Sequence, residues 1–153
     1  MNRSPETRKV IWFGGRRPAL DELTQMSKRT LQEHLGMEIV DCGDDWLRMR
    51  MPVDDRTRQP FGRLHGGASV ALAESVASIA GMLCVDPEKW VVVGMEINAN
   101  HLRPVRQGWV SATARPVSLG RTTHVWSTEI EDETGTLACI SRFTAAVISR
   151  ERG

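Results

Sequence analysis

The chain predicts an α+β fold in which an antiparallel sheet curls around one long helix. Three observations predict it. A stretch from about Gly66 to Leu83 is long, apolar, rich in small residues and helical in pattern. Strand-like segments follow it in succession: "WVVVGMEINANHL", "GWVSATARPV", "THVWSTEIED" and "LACISRFTAAVI". The turns between the last three, "SLGR" and "ETG", are short and carry glycine, which suits hairpins and therefore antiparallel pairing. Helices alternating with strands would instead have pointed to a parallel sheet.

Each element has its own signal. From Pro18 to Leu35, apolar residues at Leu20, Leu23, Met26 and Leu31 give a helical spacing, and Gly36 ends it. "MEIVDC" and "WLRMRMPV" read as a strand pair around the turn "GDD". In the second, Leu47, Met49, Met51 and Val53 face one way, and Trp46, Arg48 and Arg50 the other. "VDDRTRQPFGRL" is a loop by its Asp, Pro and Gly content. In "WVVVGMEINANHL" alternation puts Val91, Val93, Met95, Ile97 and Ala99 on one face.

Composition narrows the function. A chain of 153 residues suits one domain with a real core. A net charge of +1 argues against nucleic acid as a partner, because phosphate binding needs a basic excess. Cys42, Cys84 and Cys139 are odd in number and form no CxxC, so free thiols in a reducing cytoplasm are the expectation. No apolar run is expected to span a membrane, and the basic N-terminus lacks the apolar segment of a secretory signal. His34, His65, His101 and His124 lack zinc-ligand spacing, so no metal is expected.

The chemistry concentrates in "QPFGRLHGGASVALAESVAS". Glu74 is a lone carboxylate among alanines, serines and valines, and an unpaired carboxylate is costly to bury. Ser78 follows four residues on, on the same helix face. Gly66 and Gly67 open the helix, where free N–H groups and the helix dipole polarise a carbonyl. His65 precedes them, and Gln59 lies in the loop leading in. An acid, a histidine, an amide and a helix terminus suffice to hydrolyse an activated acyl group. Gly66 and Glu74 are eight residues apart, about 12 Å along an ideal helix. They therefore serve one reaction only if they come from different subunits, with two helices antiparallel across a dimer.

"QPFGRLHGGASVALAESVAS", "GMEINANHLRP" and "LGRTTHVW" together resemble the hotdog-fold acyl-CoA thioesterases, in the branch that hydrolyses 4-hydroxybenzoyl-CoA and 1,4-dihydroxy-2-naphthoyl-CoA. The likeness runs from about Ile11 to Ser149, leaving residues 1–10 and 150–153 as tails outside a single domain. It implies a catalytic homodimer, assembled into a homotetramer. It implies Glu74 as nucleophile or general base, and the Gly66 N–H as the group that polarises the thioester carbonyl. Gln59 would hold the carbonyl or the attacking water, His65 would lie beside the thioester, and Ser78 would position water or the acyl group. His101 would line the acyl pocket. Coenzyme A belongs to the substrate, so no separate cofactor is implied, and its phosphates call for basic residues at the entrance. Arg103, Arg121 and Thr122 are the candidates there, with Arg106 weaker.

The reading is therefore a cytoplasmic aryl- or acyl-CoA thioesterase, with dihydroxynaphthoyl-CoA or a hydroxybenzoyl-CoA as leading substrate. The alternatives are a proofreading thioesterase acting on aryl carrier proteins and a non-catalytic acyl-CoA-binding module. A hotdog hydratase is disfavoured, because its Asp/His pair is not seen.

Overall fold

The computed structural model describes residues 9–152; the N-terminal tail at residues 1–8 falls outside the described residues. Two short helices, α1 (Leu20–Met26) and α2 (Leu31–His34), lead into the hairpin β1 (Glu38–Cys42) and β2 (Leu47–Pro52). The long helix α3 (Gly66–Leu83) follows, then β3 (Trp90–His101), β4 (Trp109–Leu119), β5 (Thr123–Asp132) and β6 (Leu137–Ser149). The strands form one antiparallel sheet in the order β1-β2-β4-β5-β6-β3, and α3 packs against five of them.

The core lies between α3 and the concave face of the sheet. Leu72, Ala73, Val76, Ala77 and Ala80 of α3 meet Leu47, Met49, Met51, Val110, Ala112, Ala114, Trp126, Ile130, Phe143 and Ala145. Alanines on the helix let the strands approach closely, and Gly81 marks one close approach. A Cβ there would stand 3.1 Å from Val92 Cγ1. By length and composition α3 is apolar enough to cross a membrane, contrary to the sequence expectation. Its buried face is spent on its own sheet, which makes it the core helix.

Two expectations need correction. The helix drawn from Pro18 to Leu35 is broken between α1 and α2. Arg29 takes a left-handed backbone (φ 61°), the Thr30 hydroxyl donates to the Ser27 carbonyl, and the Arg29 N–H donates to Glu33 Oε2. These local bonds compete with helix continuation. Leu23 is buried, while Met26 and Leu31 stay exposed.

The second correction is in β3. Gly94 pairs with Ala145 and Glu96 with Thr144, so Met95 is an extra residue, a bulge. A bulge reverses the side-chain alternation beyond it. Val92, Ile97 and Ala99 accordingly pack against the core, while Val93 and Met95 are exposed. The predicted single face from Val91 to Ala99 is thus split in two.

The edges of the domain are tied down. Val10 packs against the core, and Trp12 donates its indole N–H to the Gly43 carbonyl. Arg150, at the start of a short 3-10 turn, bonds the carbonyls of Pro87 and Lys89.

His124 is buried on the inner side of β5, with no protein partner for Nδ1. Burial holds its pKa below the ordinary value of 6.5. Above that value the ring is neutral in both folded and unfolded chains. As pH falls below it the unfolded chain takes up a proton first, so stability is lost towards the folded pKa. The melting temperature of the wild type is expected to fall as pH drops below about 6.5 more steeply than that of His124→Asn, as followed by circular dichroism. Parallel curves would remove His124 as the cause.

Candidate active site

The loop before α3 is built to deliver a free helix terminus. The Gln59 N–H donates to the Arg63 carbonyl, the Leu64 N–H to the Val105 carbonyl and the His65 N–H to the Thr57 carbonyl. Gly62 takes a positive φ of 72° at the tip of the turn. His65 then caps α3: its Nδ1 accepts from the Gly67 N–H at 2.8 Å. The accepting nitrogen is Nδ1, and Nε2, the ring's other nitrogen, is free of that bond. His65 is thus a capping residue before it is anything else.

The cap leaves the Gly66 N–H without an acceptor among the described residues. A Cβ at Gly66 would lie 2.9 Å from His101 Nε2, so glycine is what lets the imidazole lie against the helix start. A cleft of about 320 Å³ opens here, lined by Gln59, Arg63, Gly66, Ser69, His101 and Arg103 among others. The Gln59 side-chain oxygen accepts from the Phe61 N–H, which leaves its NH₂ group to face a ligand. Arg103 donates to the Leu137 carbonyl at 3.1 Å. No carboxylate lines the cleft, so its arginines give it a positive field.

Glu74 sits elsewhere on α3. It is half-buried and has no hydrogen-bond or ion-pair partner among the described residues. Its Oε1 lies 3.0 Å from where a Cβ of Gly94 would stand, so it rests against β3, the edge strand of the sheet. Ser78 is half-buried one turn further on. Arg121 and Thr122 are exposed in the β4–β5 turn. Arg121 lines a different cavity, of about 480 Å³, with Cys84, Trp90 and His124 at the C-terminal end of α3. Within one chain the structure therefore gathers Gly66, Gln59, His101 and Arg103, with His65 at the cap. Glu74 with Ser78, and Arg121 with Thr122, stand apart from that group.

Sequence reasoning missed Arg63, Ser69 and Cys139, which line the cleft. Arg63 was within reach, since it lies three residues before Gly66. Cys139 was not, because its place depends on the register that sets it opposite His101. Burial pushes the Cys84 thiol up to about 12 and raises Cys139 and Cys42 as well, which disfavours the thiolate.

A helix terminus with a free N–H, a positive cleft and an unpaired carboxylate on the same helix are the parts of an acyl-transfer site. The comparisons agree. The sequence matches the thioesterase superfamily over residues 61–139. It is 48% identical over 139 residues to the 1,4-dihydroxy-2-naphthoyl-CoA hydrolase of Escherichia coli, covering 91% of this chain and 100% of that protein. It is also 48% identical over 139 residues to the proofreading thioesterase EntH of Cronobacter turicensis, covering 91% and 99%. The crystal structure of a thioesterase from Haemophilus influenzae superposes with a TM-score of 0.86 at 50% identity, covering 91% of this chain and 95% of that one.

The chain belongs to the thioesterase superfamily, with the hotdog fold, and it is a thioester hydrolase.

Proposed function

We propose that the protein hydrolyses an aromatic acyl-CoA to the free acid and coenzyme A, at composite sites shared by two chains. The observation that carries this reading is the separation of Glu74 from Gly66, about 12 Å along one helix. Glu74 lies against the edge strand, and the free N–H of Gly66 lies in the cleft at the helix start.

The edge strands favour such a dimer. β1 is short, bulged and carries Glu38 and Asp41, which blunts it against pairing. β3 runs for 12 residues with its outer edge unpaired among the described residues, and exposes Val93 (47%) and Met95 (66%). Two β3 edges paired about a two-fold axis run antiparallel, and so do the α3 helices packed on them. Each Glu74 then faces the partner's helix start. The C-terminal end of α3, with Arg121, extends about 13 Å beyond Glu74, in the direction a pantetheine arm leaves a carbonyl held at the partner's cleft. Arg121 and Thr122 on one chain and Arg103 on the other would thus rim one entrance for the phosphates.

In this site the Gly66 N–H holds the thioester oxygen. The Glu74 carboxylate takes a proton from water as the water oxygen attacks the carbonyl carbon; or it attacks that carbon itself, and water then cleaves the resulting mixed anhydride to release the acid and restore the carboxylate. The tetrahedral oxyanion collapses, the C–S bond breaks, and coenzyme A leaves as a thiolate that needs little acid help. Gln59 and Ser78 orient water or acyl group, and His101 borders the thioester. Next to Ser78, α3 presents Ile79, Met82 and Leu83 to an open, largely apolar cavity of about 510 Å³ also lined by Trp12, Phe13, Met26, Arg16, Arg17 and Glu22. That volume suits an aryl group. Hydrolysis of aryl thioesters on a carrier protein is the second reading, favoured by the equal identity to the proofreading enzyme.

The test is release of free thiol from dihydroxynaphthoyl-, hydroxybenzoyl-, phenylacetyl- and long-chain fatty acyl-CoA, with an aryl carrier-protein thioester beside them. Fastest turnover of the aromatic CoA thioesters is expected. Preference for the fatty acyl or the carrier-protein substrate would contradict the assignment.

A further inference from the structure

Ser69 is the one residue of the cleft that is polar, buried and unclaimed. It is 3% exposed and lines the cleft with Gly66, Gln59 and His101. Its backbone N–H donates to the His65 carbonyl, but its hydroxyl has no partner among the described residues. The side-chain atoms sealed from solvent without a protein partner are His124 Nδ1, Trp126 Nε1, Thr128 Oγ1 and Ser141 Oγ; Ser69 Oγ is not among them, so it is open to the cleft although its residue is 3% exposed. His124 and Ser141 border other cavities, and none of these four residues lines the cleft at the start of α3, where Ser69 does.

Packing alone does not call for a hydroxyl here. The neighbouring buried positions of α3 are Leu72, Ala73, Val76 and Ala77, and alanine would fill nearly the same space. Ser69 is also three residues beyond Gly66, one turn up the same side of the helix. Side chains on a helix lean toward its N-terminus, which brings Oγ back over the first turn. Several polar groups of this corner are engaged, His65 Nδ1 by the Gly67 N–H, the Gln59 oxygen by the Phe61 N–H and Arg103 in part by the Leu137 carbonyl; the Gln59 NH₂ and His101 remain available beside Ser69, but both are more exposed than it is.

We infer that Ser69 is a further catalytic residue, whose hydroxyl donates, beside the Gly66 N–H, a second hydrogen bond to the thioester oxygen as it becomes an oxyanion. When the nucleophile bonds to the carbonyl carbon, the C=O electron pair moves onto oxygen, between these two donors. When the C–S bond breaks, that pair re-forms C=O and the thiolate departs. The serine proton stays on Oγ throughout. A donor aimed at charge that grows only in the transition state raises kcat and leaves ground-state binding nearly unchanged.

The inference rests on the thioesterase reading. The experiment uses the full chain and the best acyl-CoA of the panel. It measures kcat and KM, the melting temperature, and the Kd of the corresponding non-hydrolysable thioether of coenzyme A. Ser69→Ala is expected to lose about 100-fold in kcat. Its thioether Kd is expected to stay within about twofold of wild type, with an unchanged melting temperature. Ser69→Cys keeps the volume with a weak donor, and is expected to fall with Ser69→Ala. A Ser69→Ala enzyme within about threefold of wild type in kcat overturns the inference, as does a kcat loss matched by an equal loss of thioether affinity. So does a Ser69→Cys enzyme as fast as wild type. A wild type that releases no thiol from any substrate would instead overturn the proposed function, and this inference with it.

Discussion

Glu74→Ala is expected to lose thioester hydrolysis by about a thousandfold to ten-thousandfold in kcat, the range a positioned base or nucleophile supplies. The fold should survive. Glu74 is half-buried and has no partner among the described residues, so its removal breaks no bond and relieves the cost of a poorly solvated charge. A melting temperature equal to or above that of wild type is therefore expected beside the lost activity. Thiol release and thermal unfolding on the same preparation check both. Activity within about tenfold of wild type would remove Glu74 from the chemistry.

The second large effect concerns β3. Replacing both Val93 and Met95 by Lys puts like charges on the long free edge, facing their symmetry mates. Because both side chains are exposed in the single chain, the protomer should stay folded. The expected result is a monomer by light scattering, with turnover reduced at least about a thousandfold because Glu74 and Gly66 no longer meet. An active monomer would mean that one chain completes a site by itself.

Much of this architecture was legible from periodicity and turns. The alternation from Leu47 to Val53, the span of α3 and the hairpins at "SLGR" and "ETG" all fold as their residues dictate. The failures share a cause: a local bond or an extra residue that periodicity does not register. Ser27, Thr30 and Glu33 divert the backbone between α1 and α2, and Met95 reverses the faces of β3. The site was legible in part. "HGG" announced a helix start with a free N–H, and eight residues of helix announced that Glu74 cannot reach it. What the sequence hid was occupancy. His65 spends its Nδ1 on the cap, Arg121 lies at the far end of α3 from Arg103, and Ser69 opens into the cleft. Each of those depends on register and rotamer rather than on residue type.

The central claim is that each site takes Gly66 from one chain and Glu74 from the other. Mixing two inactive variants tests it most directly. Glu74→Ala lacks the carboxylate, and Gly66→Val blocks the helix start where even a Cβ would press on His101. After dissociation and random reassociation in equal amounts, half of the dimers are mixed, and each mixed dimer holds one site with both intact halves. Thiol release should then recover to about a quarter of wild type. A mixture as inactive as its components, with mixed dimers demonstrably present, would place Gly66 and Glu74 of each site on a single chain and contradict the account.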